Sequence, residues 1–255
     1  MEMQPVELSS ELLMLLFAVA LLAGWIDAIA GGGGLIALPT LMLVGLSPVQ
    51  ALATNKCQGF VGTLTATLTL LQRRQLPKTG LPVLMLMTAI GAALGTLLIQ
   101  MVDTRWLSWA VPVLLISVAL YFLLVPGLGE QEKKPRMSER LWSRTAIPLI
   151  GFYDGFFGPG TGSFFAASGV MLRGKTLVQA TVVAKPLNFT SNIISLVLFA
   201  FGGQVVWLAG GVMMLGQMIG AYLGTRTIFW GGARLIRPLV IVMCVAMTIR
   251  HLTQL

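Results

Sequence analysis

Gly24-Trp25-Ile26-Asp27-Ala28-Ile29-Ala30-Gly31-Gly32-Gly33-Gly34 sets one carboxylate and four consecutive glycines inside an apolar run that extends over residues 12–46. A near copy begins 127 positions later: Gly151-Phe152-Tyr153-Asp154-Gly155-Phe156-Phe157-Gly158-Pro159-Gly160-Thr161-Gly162. Neither stretch suits a continuous helix. Each glycine costs about 1 kcal/mol relative to alanine, and Pro159 removes a backbone donor. At membrane depth, broken backbone is tolerated only where it is buried in protein or lines a watery cavity. The two blocks therefore predict broken or re-entrant helices at residues 31–34 and 158–162.

The surroundings establish that membrane depth is the right setting. The chain has 255 residues, 56% of them hydrophobic and 10% charged, with a mean hydropathy of +0.86. A soluble domain carries about 25% charged residues. The 17 basic and 9 acidic side chains here are too few to coat a water-soluble globule. That excludes a soluble enzyme, a nucleic-acid binder and a disordered chain, and leaves an integral protein of the lipid bilayer. The net charge of +8 comes with no basic helix or aromatic-interleaved patch, so it reads as loop charge that sets orientation. Residues 1–11 hold Glu2, Glu7 and Glu11 but no Lys or Arg. A signal peptide needs a basic start, so the first apolar run is a retained membrane element. Cys57 and Cys244 offer neither metal spacing nor a disulfide framework, His251 stands alone, and no cofactor motif is present.

A spanning helix needs about 20 apolar residues. Apolar stretches fall at 12–46, 48–71, 81–101, 107–125, 146–172, 177–201, 205–225 and 235–249. The polar segment 127–144 divides these eight elements four and four. The expected organisation is a first membrane repeat over 1–126, a basic linker loop over 127–144, and a second repeat over 145–255. Further blocks match in order. Gln50-Ala51 with Lys56 answers Gln179-Ala180 with Lys185, and Gly91-Ala92-Ala93-Leu94-Gly95-Thr96 answers Gly220-Ala221-Tyr222-Leu223-Gly224-Thr225, as Arg105 answers Arg234. Internal duplication is the common build of secondary transporters.

Two topologies compete. With eight full crossings the halves are parallel, and the basic residues outside Lys56 and Lys185 divide 9 to 6 between the two sides. With a re-entrant hairpin opening each half, the halves are inverted and the same residues divide 13 to 2. The positive-inside rule favours inversion. Residues 146–157 and 163–172 are each too short to span alone, whereas residues 12–30 are long enough to cross.

Four ionisable residues lie deep in apolar segments: Asp27, Lys56, Asp154 and Lys185. They sum to zero charge and fall at matching places in the two halves. Each costs about 2.5–3.5 kcal/mol at the bilayer centre on insertion scales, and such charges by default mark substrate or ion pathways. A brace of two neutralised pairs is the structural alternative. Backbone N–H groups freed by a helix break suit an anion. Gly31, Gly32, Gly33 and Gly34 in one half, and Gly158, Gly160, Thr161, Gly162 and Ser163 in the other, are thus candidate cradles. Asn55, Gln58 and Asn188, beside the lysines, add donors for oxyanion oxygens. The spaced pairs Gly91/Gly95 and Gly220/Gly224 fit close helix packing instead.

An enzyme is disfavoured. Tyr153-Asp154 is similar to half of the intramembrane aspartyl protease motif, in which two carboxylates share a proton. The Gly-x-Gly-Asp half is missing, since Asp27 follows Trp25-Ile26, and no Ser/His pair or metal cluster replaces it.

At the blocks 24–34 and 151–162, with Lys185 beyond, the chain resembles the TauE/SafE sulfite exporter family. Within it, the YfcA-type members, also grouped as toluene sulfonate uptake permeases, are the most similar. The resemblance runs from about residue 11 to 250. It implies an inner-membrane bacterial transporter with about eight membrane helices, acting on organic or inorganic sulfur oxyanions.

The expectation is an all-α polytopic plasma-membrane protein of two homologous four-element repeats. It carries a small anion between the glycine breaks by alternating access. Lys56 and Lys185 attract the anion, and Asp27 and Asp154 orient the lysines or carry coupling protons. An anion channel and a non-transporting assembly factor are the competing classes, and the sequence sets no oligomeric state.

Overall fold

The computed structural model describes residues 8–77, 79–102 and 131–227. The expected elements at 107–125 and 235–249, the Arg105–Arg234 match, Cys244 and His251 lie outside the described residues. Within them the fold is helical: α1 Ser10–Ala30, α2 Gly34–Leu43, α3 Pro48–Gln72, α4 Leu81–Met101, α5 Glu139–Arg144, α6 Ala146–Phe156, α7 Thr161–Arg173, α8 Leu177–Phe201 and α9 Trp207–Thr227. Four of these, α1, α4, α8 and α9, are long and apolar enough to cross a membrane. The chain is an all-α, multi-pass membrane protein.

Both runs that hold the glycine blocks break there. α1 stops at Ala30, where Gly31 adopts φ +77° and donates its N–H to the Asp27 carbonyl at 2.7 Å. Had the helix continued, Gly33 would stand about 15 Å along the axis from Ala23. Instead a Cβ at Gly33 would lie 2.6 Å from the Ala23 carbonyl oxygen, so the chain folds back on itself. The second half does the same. The Thr161 hydroxyl donates to Asp154 Oδ1 at 2.7 Å and the Tyr153 hydroxyl to the Pro159 carbonyl at 2.7 Å, which turns α7 back beside α6. α1, at 21 residues, nevertheless has the length of a full crossing.

Local signals start the long central helices. Ser47 caps α3 and Thr176 caps α8, each in a reciprocal pair with the residue three positions on, Gln50 and Gln179. Such capping boxes satisfy two backbone donors that a helix start leaves over. Matched turns recur 129 positions apart: Gly45 and Gly174 both have positive φ, as do Arg74 and Gly203. The linker differs from the expected loop. Ser138 caps the short helix α5, which buries Trp142 because an indole left in the polar segment finds an apolar seat beside Ile147 and Val170.

The halves interlock reciprocally. Along α9, Gly216 meets Phe17, Gly220 meets Leu21 and Gly224 meets Trp25; α1 and α9 are parallel. In the mirror contact, Gly91 of α4 meets Pro148 of α6, and Gly95 meets Phe152. Any Cβ at Gly95 would sit 2.1 Å from the Phe152 carbonyl oxygen, so these glycines allow backbones to touch, as small residues do between membrane helices. Thr54 meets Val206 and Gly62 meets Gln217, which makes α3 parallel to α9. Thr96 meets Ser195 and Gln100 meets Gly202, which makes α4 parallel to α8. Where α3 crosses α8, Gly59 meets Asn192 while Phe60 meets Phe189; these two are antiparallel. Among the described helices, α1, α3 and α4 therefore point opposite to α6, α8 and α9 respectively.

Candidate functional site

The four buried ionisable residues meet at the two breaks, across the halves. Lys56, 1% exposed, comes from the middle of α3 and donates to Asp154 Oδ1 of α6 at 2.7 Å. Lys185, 1% exposed on α8, reaches the other hairpin but donates to the backbone carbonyl of Asp27, not to its carboxylate. Asp27 Oδ1 instead accepts the Gly33 N–H at 3.3 Å. The two pairs are thus related in placement and different in bonding.

Between the breaks lies a polar cavity of about 20 Å³. That is room for about one water and too little for a four-heavy-atom oxyanion. Of the expected site residues, Asp27, Gly31, Gly34, Asn55, Gln58, Asp154, Gly158, Gly160, Thr161 and Asn188 line it. Lys56 stands behind this wall, its Nζ 2.8 Å from where a Cβ at Gly158 would be. Lys185 is held behind the opposite one. Gly32 and Gly33 are not part of the lining, and Gly33 spends its N–H on Asp27. Gly162 packs on the Gly31 backbone, and the Ser163 hydroxyl donates to the Ala30 carbonyl at 2.6 Å. These last two fasten one hairpin to the other.

Three lining residues were missed from sequence: Gly59, Asn192 and Gln217. Asn192 sits one turn after Asn188 and donates to its carbonyl at 2.7 Å. Gln217 is the lone amide of α9 and 1% exposed. Its counterpart by repeat is Thr88, so a search for matched polar residues passes over it. Buried polar atoms are ordinarily hydrogen-bonded. Here Asp154 Oδ2, Gln58 Oε1 and Gln217 Oε1 find no partner among the described residues.

A second opening, about 510 Å³ in volume, lies at the end of the bundle where α8 begins. Lys133, Arg173 and Lys175 stand on its wall with Glu132, and Val182 and Val183 are also lining residues. The segment before α5 is tied across it: Lys133 N–H donates to the Gly174 carbonyl at 2.8 Å, and Arg136 and Met137 N–H groups donate to the Leu172 carbonyl at 3.0 Å. Burial next to the Trp142 ring pushes the Lys175 ammonium below the ordinary lysine range, against the pull of Glu139.

Crossed helix hairpins, paired charges beside a small polar chamber and an apolar exterior define a multi-pass membrane transporter. The chain belongs to the TauE/SafE sulfite exporter family: the family model described as "Sulfite exporter TauE/SafE" matches residues 16–251. A Haemophilus influenzae protein described as "Probable membrane transporter protein" is 44% identical over 242 residues, 95% of each chain. The Escherichia coli K12 "Probable membrane transporter protein YfcA" is 45% identical over 94% of this chain and 90% of its own. A Sinorhizobium "Probable membrane transporter protein ORF9" is 44% identical over 97% and 95%. No solved structure matches the chain. The protein resides in the inner membrane.

Proposed function

We propose that this protein carries small anions, sulfur oxyanions such as sulfite or organosulfonates, across the inner membrane by alternating access of two inverted repeats. It acts as a carrier and not as an enzyme. The observation that carries the reading is the cross-half pairing of Lys56 with Asp154 at 2.7 Å, beside broken backbone that lines a small polar chamber. The opposed directions of counterpart helices support inversion, because a two-fold axis in the membrane plane relates repeats in that way.

The chemistry follows from charge. While Asp154 is ionised it occupies the Lys56 ammonium, and an anion must compete for it. A proton taken up at Asp154 Oδ2, the unpartnered oxygen, frees Lys56 to hold the anion. Proton and anion then enter together. Asn55, Asn188 and the backbone around Gly31, Gly34 and Gly160 supply donors for the anion's oxygens. The small volume of the chamber supports an occluded conformation, which has to widen toward one side before an oxyanion enters.

Flux into liposomes tests this. Sulfite, simple sulfonates and sulfoacetate are offered with and without a pH gradient. A carrier gives saturating uptake that rises when protons are supplied from the anion's side. Uptake that conducts without response to the gradient would mark a channel, and no uptake of any of the three would mark a protein that does not transport these anions.

A further inference from the structure

The repeat offers an internal comparison that the charges do not exhaust. Counterparts at a spacing of 129 should have like surroundings if both ends of the bundle were in one state. They do not. Thr54, fully buried, accepts the Val206 N–H through Oγ1 at 3.1 Å, and Leu46 and Ala53 beside it are packed into the main apolar core. The counterparts of Thr54 and Val206 are Val183 and Pro77; those of Leu46 and Ala53 are Lys175 and Val182. All four border the 510 Å³ opening, Val182 and Val183 from buried positions, and no hydrogen bond joins Val183 to Pro77. One end is pinned by a hydrogen bond where the other borders a large opening.

We propose that this opening is the cytoplasmic vestibule through which the anion reaches Lys185, and that Thr54–Val206 and Val183–Pro77 are alternating gates. The inference rests on the carrier reading above. Lys185 follows Val182 and Val183 within one turn of α8, so the vestibule leads to the buried lysine from the helix start. Its basic wall of Lys133, Arg173 and Lys175 draws small oxyanions to the mouth, where the pinned end has Val44 and Leu46 in place of Arg173 and Lys175. The other half of the cycle exchanges the states: Thr54 parts from Val206, and Val183 closes on Pro77. The two gates are unequal. Proline has no N–H and valine no hydroxyl, so the second gate closes by apolar contact alone and lacks the hydrogen bond of the first. The resting protein accordingly favours the vestibule-open state, and Thr54 sets that preference.

The test uses the full-length protein with Cys57→Ala and Cys244→Ala as background. In Val182→Cys, an impermeant thiol reagent applied to inside-out vesicles should label at least tenfold faster than it labels Ala53→Cys applied to intact cells. Thr54→Val should narrow that ratio severalfold. Thr54→Cys with Val206→Cys should form a disulfide at rest and stop sulfite flux until reduced. Pro77→Cys with Val183→Cys should cross-link more slowly, and only while the first pair is reduced. Equal labelling at both ends, a ratio that Thr54→Val leaves unchanged, or sulfite flux through the oxidised Thr54→Cys/Val206→Cys protein would overturn the gates. If no anion moves but labelling and cross-linking follow the pattern, the gates stand and the sulfur-oxyanion reading fails by itself.

Discussion

Lys56 of the first half and Asp154 of the second share a hydrogen bond of 2.7 Å with both side chains at 2% exposure or less, while Lys185 reaches only the backbone of Asp27. This inequality distinguishes two pairs that look alike in sequence. Breaking a buried pair by removing one partner costs about 3–5 kcal/mol, whereas removing both can be neutral. Lys56→Met should therefore lower protein abundance sharply, and adding Asp154→Asn should restore it. Lys185→Met should be rescued less by Asp27→Asn, because the Asp27 carboxylate accepts the Gly33 N–H and loses no hydrogen bond with the lysine. Abundance by immunoblot and melting in detergent check both. Equal rescue in the two pairs would contradict the bonding described.

Glycines at the helix contacts and glycines at the chamber should respond differently. Gly95→Ala and Gly224→Ala place a Cβ 2.1 and 2.4 Å from a neighbouring carbonyl oxygen and should reduce folded yield. Gly33→Ala belongs with them, since its Cβ would stand 2.6 Å from the Ala23 oxygen. Gly34 is helical and opens toward the Asn55 amide at 3.2 Å. Gly34→Ala should keep yield and slow flux by displacing that amide. The distinction fails if Gly34→Ala is lost from the membrane as readily as Gly95→Ala.

Much of this was legible in the chain. Runs 48–71, 81–101 and 177–201 coincide with α3, α4 and α8 to within a residue, because unbroken apolar sequence ends at capping boxes, glycines or arginines that a helix obeys locally. The breaks were legible for the same reason. What the sequence left open is long-range. Which aspartate faces which lysine depends on how α3 lies over the hairpin α6–α7, and nothing near Lys56 encodes it. Gln217 escaped because its counterpart Thr88 bonds its own helix, to the Leu84 carbonyl at 2.9 Å. Helix α5 escaped because six residues with three charges carry little apolar signal.

Gln217 therefore makes a sharp trial of the chamber. It touches Gly24 and Gly62 from α9. Gln217→Leu keeps the volume and removes the amide. Sulfite flux should fall about tenfold, equivalent to about 1.4 kcal/mol, with abundance unchanged. Unaltered uptake kinetics would remove Gln217 from the pathway.

Orientation follows from the opposed helices. Gln75 at the end of α3 and Gln204 at the end of α8 are counterparts by repeat. With the basic loops inside, Gln75→Cys should label only from the cytoplasmic face and Gln204→Cys only from outside. Labelling of both from one face would require parallel halves.

Proton movement recorded together with sulfite uptake reaches the central claim most directly. Liposomes holding a pH dye and the wild-type protein should acidify inside as sulfite enters. The Lys56→Met, Asp154→Asn double variant, reconstituted at equal abundance, should pass neither sulfite nor protons. A double variant that takes up sulfite with unchanged apparent affinity and the same acidification would make the buried charges a brace, and the chamber between the glycine breaks would not be the anion's route.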